Sequence, residues 1–546
     1  MCLNSVNCLL SICKPVMLVR LSVLLVLFSS GNSIGQVNRY VIYFKNKAGN
    51  QYSVSQPDKF LSAASIARRT KQQISYTDED LPVTAAYVNK LKDIGAKVFF
   101  TSRWLNCVLV ESPPSIATAA SQLPEVSKVE LVAPGNRLLG GRVATKFDQK
   151  VTEVAAPSLV QFQQLGIDEM NSQGYNGDGI NIAIFDGGFL GVNTTTAFQA
   201  ARSKIKYEYN FVVNSKNVYL YDDHGTEVFS ILSAQTPDFA GGSLGANYFL
   251  FLTEDKPTEY RVEEFNWLFA AERADSLGVD IISSSLGYST FDDATMNYRI
   301  SDLTGNNAIV SIAASKALAK GMMVVTSAGN EGNGSWKYIT PPADVSGILS
   351  VGSITTEKLL SGFSSLGPTA DGRVKPDVVA LGSSTTLINQ SGSLVKGSGT
   401  SFSCPLITCL VAGLWQAYPN LKAQEMYTAI IKSADQAYNP DNKKGFGLPN
   451  FKAVVNYLNR AALDQAIVIS PNPVQTSMNV TFKEPKEEEV VMTIFSVLGQ
   501  PLFTQSTTLN WQKNPVEYDL SNLASGVYIV QIKSLSQSLT SRIIKF

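Results

Sequence analysis

The chain has 546 residues, and at roughly 150 residues per domain this length predicts several folded units. Hydrophobic residues make up 45% of the chain, which excludes a largely disordered protein. Lys and Arg together number 45, as do Asp and Glu, so the formal net charge is +0 and the composition predicts no nucleic-acid partner.

The first 35 residues have the pattern of an export signal. Arg20 precedes an apolar run, 21–28, and small and polar residues follow up to Gly35. The apolar run is too short for a membrane-spanning helix, which needs about 18 residues or more. The sequence therefore predicts a signal peptide at 1–35 and a soluble, exported mature protein. Three of the six cysteines lie in this signal, and we expect the others to be buried free thiols: Cys107, Cys404 and Cys409.

Residues 36–134 alternate between strand and helix periodicity. The predicted strands are 40–44, 97–101, 107–111 and 127–132, and the predicted helices are 57–73, 83–94 and 114–123. This order is that of a split β-α-β unit, a small ferredoxin-like α+β domain. Residues 135–165 have little periodicity, which predicts an exposed linker containing a maturation site. The small and basic residues of this linker include Gly140, Gly141, Arg142, Lys146 and Lys150.

Residues 166–458 alternate apolar strands with helices. The predicted strands are 180–185, 248–252, 279–284, 322–327 and 348–352, and the predicted helices are 225–234, 259–277, 311–320 and 406–415. Strands that are apolar on both faces and separated by helices predict an α/β fold, with a parallel sheet covered by helices on both faces. In such a sheet the working crevice lies beyond the carboxyl ends of the strands.

After a predicted linker at 459–466, the chain changes to short runs rich in β-branched residues and separated by turn residues. The predicted strands are 467–470, 478–482, 490–495, 501–505, 516–520 and 526–533. This pattern predicts a small antiparallel β-sandwich over 467–546. The charged run from Glu484 to Glu489 is predicted to be a solvated loop.

Two motifs place an acid and the only histidine of the chain at the predicted crevice. Asp186 follows the strand 180–185, and His224 stands at the start of the helix 225–234. A single imidazole excludes any site that needs two, such as an H-E-x-x-H zinc helix. An acid that holds one ring nitrogen lets the other accept a proton. Taken alone, each motif has a simpler interpretation: D-G-G as a turn, and the histidine as a helix cap.

Two further motifs supply a hydroxyl and an amide. Ser401 lies in the Gly-rich segment 397–405, where the amides of a helix start favour negative charge and Pro405 is expected in the first helical turn. A serine hydroxyl is a weak nucleophile until a base takes its proton, so Ser401 needs His224. Asn330 follows the strand 322–327, either as a turn residue or as an amide donor to a developing oxyanion.

Together these motifs resemble those of the subtilisin-like serine peptidases, which are recognised by Asp, His and Ser motifs in that order. Here the motifs read I-A-I-F-D-G-G, D-H-G-T-E-V and G-T-S-F-S-C-P, with S-A-G-N-E-G between the second and the third. The resemblance implies roles for four residues: Ser401 as nucleophile, His224 as general base and then acid, Asp186 as orienting carboxylate and Asn330 as oxyanion donor. It also implies a substrate-binding strand formed by Ser283, Ser284, Ser285, Leu286 and Gly287.

The flanking regions carry resemblances of their own. The segment 39–132 resembles subtilisin-type propeptides, which inhibit the cleft until they are removed. The tail resembles the C-terminal sorting domains of the type IX secretion system. Its matching segments are 470–473, 494–500, 523–528 and the terminal Lys545-Phe546. These resemblances imply a secreted or surface-attached protein of a Gram-negative bacterium, with its own propeptide and an outer-membrane secretion machinery as partners.

The sequence thus predicts a secreted serine endopeptidase that is made as an inactive precursor, acts as a monomer and takes protein or peptide substrates. Calcium is common in this family, but no acidic loop has convincing ligand spacing, so we predict no metal and no other cofactor. Three departures from the family pattern leave every reacting group in place: Gly187, Glu227 and the pair Phe402-Ser403. Two alternatives stay open: a catalytically impaired surface-binding protein and a transpeptidase of the same fold.

Overall fold

The computed structural model describes residues 37–135, 149–153, 160–461 and 466–546. Four sequence predictions lie outside these ranges: the signal peptide, its three cysteines, part of the linker 459–466, and the linker residues Gly140, Gly141, Arg142 and Lys146. The described residues belong to one unit, 36–546.

The first described region is a four-stranded antiparallel sheet with helices. Its strands are β1 (Asn38–Phe44), β2 (Lys97–Ser102), β3 (Cys107–Ser112) and β4 (Val126–Ala133), and its helices are α1 (Ala63–Gln72), α2 (Ala85–Asp93) and α3 (Pro114–Ser121). The strand order β2-β3-β1-β4 is that of the predicted split β-α-β unit. The prediction of a single helix at 57–73 is wrong. The segment divides into a short 3-10 helix, Pro57–Lys59, and α1, because the Ser62 side chain caps a new helix by accepting from the Ser65 N–H.

The predicted linker 135–165 contains two short elements that its composition did not indicate. They are the strand β5 (Gln149–Glu153) and the helix α4 (Val160–Gln163). The strand β5 pairs with a later strand of the chain. Its partner is distant in sequence, so local periodicity contains no signal for it.

The α/β region is built on a seven-stranded parallel sheet. Its strands are β6 (Asn181–Asp186), β7 (Ile205–Asn210), β10 (Asn247–Leu252), β11 (Ile281–Ser284), β12 (Met323–Ser327), β13 (Leu349–Ile354) and β14 (Val378–Leu381). They lie in the order β14-β13-β12-β11-β6-β10-β7. Two short strands form a hairpin, β8 (Gln235–Thr236) and β9 (Phe239–Ala240), and two longer ones, β15 (Thr385–Ile388) and β16 (Leu394–Ser398), form a small sheet with β5.

Helices cover both faces of the parallel sheet. They are α5 (Ile167–Ser172), α6 (Gln199–Arg202), α7 (His224–Ser233), α8 (Val262–Leu277), α9 (Ile309–Ala319), α10 (Thr400–Ala417), α11 (Ala423–Ser433) and α12 (Phe451–Ala461). Alternate residues of β6 enter opposite cores: Ile182 and Ile184 pack with α7 and α10, and Ala183 and Phe185 pack with α8 and α9. The predicted α/β fold with a doubly covered sheet is confirmed.

The helix α10 runs through the first of these cores. Among the described residues it alone is long and apolar enough by composition to cross a membrane, and 89% of it is buried in the protein. Cys404 and Cys409 lie on this helix as buried free thiols, and Cys107 is a buried free thiol on β3, as predicted.

The N-terminal region packs on α8 through Glu272. This carboxylate accepts hydrogen bonds from the Ser102 hydroxyl, from Arg103 N at 2.9 Å and from Trp104 N at 3.1 Å. Close packing at the end of α8 requires Gly278, since a Cβ there would lie 2.4 Å from Ala64 Cβ. The turn after β2 and the helix α1 are thus both fixed to the same helix of the α/β region.

Three arginines of the N-terminal region converge on one buried carboxylate of α8, Asp275. Arg69 Nη2 lies 2.5 Å from Asp275 Oδ2, and guanidinium groups of Arg68 and Arg103 also bond to Asp275. Arg69 donates in addition to Asp80 at 2.8 Å. Arg68 also donates to the carbonyl oxygens of Val279 and Lys320, just beyond α8 and α9, where the helix dipole favours a cation.

A third buried carboxylate of α8, Glu264, predicts a pH dependence of stability. Its oxygens accept from the Tyr298 hydroxyl and from Val310 N, and burial raises its pKa to about 7. Between about pH 4.5 and 7 the native state therefore holds a proton that the unfolded chain has released. As the pH rises through this range, the free energy of unfolding falls by about 3 kcal/mol. We expect the thermal midpoint to fall between pH 5 and pH 8 by less in Glu264→Gln than in the wild type. Equal pH profiles of the two proteins would contradict this assignment.

The C-terminal region is an antiparallel sandwich of two sheets, as predicted. One sheet has the order β17-β18-β21 and the other β20-β19-β22-β23. The strands are β17 (Ile467–Ser470), β18 (Ser477–Phe482), β19 (Glu488–Phe495), β20 (Pro501–Leu509), β21 (Val516–Asp519), β22 (Gly526–Lys533) and β23 (Ser538–Lys545).

Two details of this region differ from the sequence prediction. The strand β23 was not predicted, because its alternation of exposed polar and half-buried residues is a weak apolar signal. The run from Glu484 to Glu489 is not a loop throughout, since β19 begins at Glu488. The Glu488 carboxylate is buried and accepts from the N–H and hydroxyl of Ser536.

Candidate active site

The carboxyl end of β6 and the amino end of α7 meet at the crevice. Asp186 is the last residue of β6, and His224 is the first residue of α7. His224 Nδ1 lies 2.8 Å from Asp186 Oδ1, and both side chains are buried. Gly225 permits this approach, because a Cβ there would lie 2.4 Å from the carbonyl oxygen of Gly188 and 2.9 Å from Asp186 Cβ. The structure thus brings the predicted acid and imidazole together.

The Asp186 carboxylate is fully enclosed. Its Oδ1 also accepts from Gly187 N at 2.8 Å, whereas its Oδ2 has no hydrogen-bond partner within the described ranges. Glycine at 187 has no side chain to serve as a donor. Burial raises the pKa of Asp186, and the imidazole and the Gly187 N–H oppose that rise. The side-chain partner of this acid is the imidazole, which fixes the orientation of the ring.

The imidazole lies against the segment that contains Ser401. The ring centroids of His224 and Phe402 are 5.9 Å apart, and Phe402 directly follows Ser401. The backbone N–H of His224 is held by Asp222, whose Oδ1 accepts from Asp223 N at 2.9 Å and from His224 N at 3.4 Å. Asp222 thus holds the start of α7, a role that sequence analysis missed although the residue stands beside the quoted motif.

Ser401 is the second residue of α10 and is 3% exposed. The helix begins at Thr400, so the expectation that Pro405 lies in its first turn is wrong; Pro405 lies inside the helix. Proline has no N–H to donate to the carbonyl four residues earlier, which is that of Ser401. The Ser285 hydroxyl donates to this carbonyl instead, at 2.8 Å, and Ser401 Oγ donates to the Ser285 carbonyl over a long 3.4 Å.

The amide of Asn330 is oriented by Thr400. Asn330 Oδ1 accepts from Thr400 N and from Thr400 Oγ1, each at 2.9 Å. With the oxygen fixed by these two donors, the Nδ2 edge of the amide faces away from Thr400. Sequence analysis missed Thr400 in this role. Its place within the G-T-S motif was the available signal.

The predicted substrate strand divides into two parts. Ser283 and Ser284 lie on β11 with their hydroxyls turned into the core: Thr408 donates to Ser283 at 2.9 Å and Trp267 to Ser284 at 3.0 Å. The remaining residues follow the carboxyl end of β11 and begin with Ser285, which contacts Ser401: Ser285, Leu286 and Gly287. Of these five residues, Ser285 is the one that hydrogen-bonds with Ser401.

Cys404 does not have the properties of a nucleophile. It is fully buried in α10, with its sulfur 3.4 Å from the Val325 carbonyl and 3.6 Å from the Ser284 carbonyl. Burial raises the pKa of the thiol to about 12, so the group stays protonated at neutral pH.

A group of three buried carboxylates lies between the end of β10 and the first turn of α8. Oxygens of Glu254, Glu259 and Glu263 are within 4.8 Å of one another, and the Tyr288 hydroxyl donates to Glu254. In the described part of the chain this is the group whose spacing would suit a metal ion. The sequence analysis predicted no metal because it found no acidic loop with convincing ligand spacing, and it did not consider these three residues.

Comparisons with known proteins match three parts of the chain to protein families. A model of the subtilase family matches residues 177–448. A model of the Bacteroidota propeptide domain of this peptidase family matches residues 39–146, and a model of a secretion system C-terminal sorting domain matches residues 468–545. The three predicted resemblances are thereby confirmed.

Individual relatives are distant. Subtilisin DY of Bacillus licheniformis is 27% identical over 271 residues, which are 49% of this chain and 88% of that protein. Subtilisin-like protease SBT6.1 of Arabidopsis thaliana is 26% identical over 324 residues. These residues are 56% of this chain but only 28% of that protein. The crystal structure of the MycP3 protease from a type VII secretion system matches with a TM-score of 0.46 and 19% identity, over 57% of this chain and 92% of that one.

The fold and the motifs therefore define a serine peptidase domain preceded by a propeptide domain. The chain belongs to the subtilase family. Its sorting domain and its Bacteroidota-type propeptide identify it as a secreted or cell-surface-attached protein of a Gram-negative bacterium.

Proposed function

We propose that the chain is a serine endopeptidase that hydrolyses peptide bonds through an acyl-enzyme at Ser401. The observation that carries this proposal is the 2.8 Å contact between Asp186 and the only imidazole of the chain, which lies against the residue after Ser401. In the proposed reaction His224 takes the Ser401 proton as Oγ attacks the carbonyl carbon. It then donates that proton to the leaving amine. In the second half of the reaction the imidazole takes a proton from water as the water attacks the ester, which releases the carboxylic acid and restores the Ser401 hydroxyl.

Asp186 has the role of a fixed anion in this scheme. It holds Nδ1 of His224, which leaves Nε2 to serve as the base, and it stabilises the imidazolium that forms. Its burial makes that interaction stronger than a solvent-exposed pair would be. The remaining developing charge is on the carbonyl oxygen of the substrate, and Asn330 is the proposed donor to it.

The proposed role of Asn330 predicts a selective loss of rate. Thr400 fixes the amide before the substrate arrives, so its Nδ2 stabilises the oxyanion with little reorganisation. We expect Asn330→Ala to lower kcat by about 10² to 10³-fold with little change in KM. Asn333→Ala, an exposed substitution in the same loop, serves as the control and should leave kcat unchanged. A rise in KM at constant kcat would instead assign Asn330 to substrate binding.

Two further parts of the proposal concern regulation and export. We propose that residues 36–134 keep the precursor inactive by remaining bound to α8. Maturation then occurs by a cut within 135–165. The domain 166–458 acts afterwards as a monomer and requires no cofactor. The region 467–546 is proposed to be the part that the outer-membrane secretion machinery binds.

The test of the proposed reaction is product analysis. A purified, matured protein is incubated with a defined peptide alone and with the same peptide plus an excess of an amine nucleophile, and the products are identified by mass spectrometry. We expect two fragments whose masses sum to that of the peptide plus one water. Predominant ligation to the added amine would identify a transpeptidase, and an intact peptide would identify a non-catalytic surface protein.

A further inference from the structure

A cleft of about 660 Å³ lies where the peptidase region meets the C-terminal sandwich. It is lined by residues from the end of α11 and the turn after it, from α12, and from the short 3-10 helix Trp511–Lys513 that follows β20. Sites for small molecules measure about 300–1,000 Å³, so the cleft can hold a ligand of several rings. It is separate from the candidate active site, because its lining includes none of the residues proposed to react: Asp186, His224, Asn330 and Ser401.

Amide side chains are the commonest feature of this lining, since Asn and Gln supply seven of its 17 residues. Three of them make no side-chain hydrogen bond with another described residue: Asn439, Asn456 and Gln512. Asn510 Oδ1 accepts from Lys513 N at 2.9 Å, which leaves the NH₂ group of that amide as a donor. A primary amide carries N–H donors and a carbonyl acceptor side by side and has no charge. The cleft therefore offers neutral pairs of donor and acceptor.

Two aromatic rings lie in the cleft beside these amides. The ring centroids of Tyr438 and Trp511 are 5.3 Å apart, and Tyr438 is 51% exposed. The Arg460 guanidinium lies over the Trp511 ring, 4.2 Å from its centroid, and the Tyr438 hydroxyl donates to the Pro485 carbonyl. Trp511 Nε1 is buried and has no hydrogen-bond partner in the described part of the chain. Both rings are held in place before a ligand binds, so binding costs them little conformational entropy.

We propose that this cleft binds a neutral oligosaccharide. Neighbouring hydroxyl groups of a sugar each donate and accept a hydrogen bond, which matches the donor and the acceptor of a primary amide. The C–H groups of a sugar ring pack on the face of an aromatic side chain, here Tyr438 or Trp511. The ionisable residues of the lining balance in sign, which favours an uncharged ligand: Lys358 and Lys452 against Asp435 and Glu487.

A peptide is the alternative occupant, and it fits this lining less well. Peptides are anchored by apolar side chains that fill matching pockets, whereas the aliphatic part of the lining is Leu448 with Ala434 and Ala453. Because both regions line the cleft, the chain binds the sugar only while residues 467–546 stay attached to the peptidase region. The inference goes beyond the proposed endopeptidase function and does not depend on it.

The first test is a glycan array that carries plant, microbial and animal oligosaccharides. It is probed with the labelled full chain bearing Ser401→Ala, so that self-processing does not remove either region. We expect binding to one structural group of neutral glycans, and an excess of the same free oligosaccharide should abolish it. Binding to no glycan would overturn the inference. Binding only to anionic glycans that is lost at high salt would indicate a contact by charge alone and would also overturn it.

The second test locates the sugar in the cleft. The Kd of the oligosaccharide selected by the array is measured by titration calorimetry on variants of the Ser401→Ala chain. We expect Tyr438→Ala to weaken binding by about tenfold, because a ring contact is lost. We expect Asn456→Ala to weaken it by about threefold to tenfold, since the hydrogen bonds of one amide are lost. The second variant keeps the fold safe, because Asn456 is half-buried on α12 and alanine favours a helix.

Each of these variants has a matched control outside the cleft. Tyr221 is also 51% exposed and is not among the lining residues, so Tyr221→Ala should leave the Kd unchanged. Asn459 is exposed on the same helix as Asn456 and does not line the cleft, so Asn459→Ala should also leave it unchanged. Equal Kd values for all four variants would place the sugar elsewhere and overturn the inference.

The third test identifies where the sugar is carried, because a free polysaccharide and a glycan on a protein have the same chemistry. Binding of the Ser401→Ala chain is measured to a glycoprotein with the selected oligosaccharide, before and after enzymatic removal of its glycans, and to the free polysaccharide. Loss of binding on deglycosylation would assign the site to glycoproteins, and binding to the polysaccharide alone would assign it to extracellular glycan; either result supports the inference. Equal binding to the deglycosylated protein would show recognition of peptide and overturn the inference.

Discussion

We expect Ser401→Ala to lower kcat for casein or peptide hydrolysis by at least about 10⁴-fold and to prevent self-processing of the precursor. The physical reason is that the substitution removes the atom that forms the acyl-enzyme, while the imidazole and its buried acid remain. The measurement is the steady-state rate of the purified variant, together with the mass of the secreted chain.

The matched control for Ser401→Ala is Ser403→Ala. Ser403 lies two residues further along α10, is fully buried, and donates its hydroxyl to the Ala380 carbonyl at 3.2 Å. Losing that bond is expected to lower stability by about 1 kcal/mol and to leave kcat nearly unchanged. Hydrolysis by pure Ser401→Ala protein at the wild-type rate would refute the assignment of the nucleophile.

The largest expected effect on stability comes from Asp275→Ala. The substitution leaves the guanidinium groups of Arg68, Arg69 and Arg103 in a buried site without their shared carboxylate. Removing one partner of a buried ion pair costs about 3–5 kcal/mol. We expect the Ser401→Ala, Asp275→Ala precursor to unfold its N-terminal region at a clearly lower temperature than Ser401→Ala alone, as measured by calorimetry and limited proteolysis.

Glu79→Ala is the control for that variant, because it removes an ion pair across the same interface in an exposed position. Lys316 Nζ lies 2.8 Å from Glu79 Oε1, with side chains 20% and 50% exposed. Exposed pairs contribute about 0–1 kcal/mol, so the transition should move little. A similar shift for both variants would show that burial of the Asp275 network does not contribute as argued.

The elements of the fold that have strong local periodicity were predictable from sequence. The strand ending at Asp186 is apolar on both faces and packs into two cores. The apolar run that indicates this is visible in the sequence of the strand itself. The strands β5 and β23 were not predicted for the opposite reason. The strand β5 pairs with a partner that is distant in sequence, and β23 consists mainly of exposed and half-buried residues, so local patterns contain little trace of either.

The residues of the candidate site could also be located from sequence, since their motifs are short and local. Their supporting contacts could not. Thr400 fixes the amide of Asn330, and the Ser285 hydroxyl takes the place of the missing Pro405 N–H at the Ser401 carbonyl. Both contacts join segments that are distant in sequence and are brought together by the sheet. The buried arginine network is hidden for a further reason. Charged side chains are rarely buried without partners, and the sequence does not show which residues are partners. Arg68, Arg69 and Arg103 would therefore be expected at the surface, although all three are buried.

The most direct test of the proposed chemistry is labelling of the matured protein with a fluorophosphonate, followed by mass spectrometry of its peptides. We predict one adduct, on Ser401, that forms fast in the wild type and is strongly slowed in His224→Ala, because the hydroxyl then lacks its base. An unlabelled Ser401 in folded protein, or equally fast labelling without the imidazole, would contradict the account.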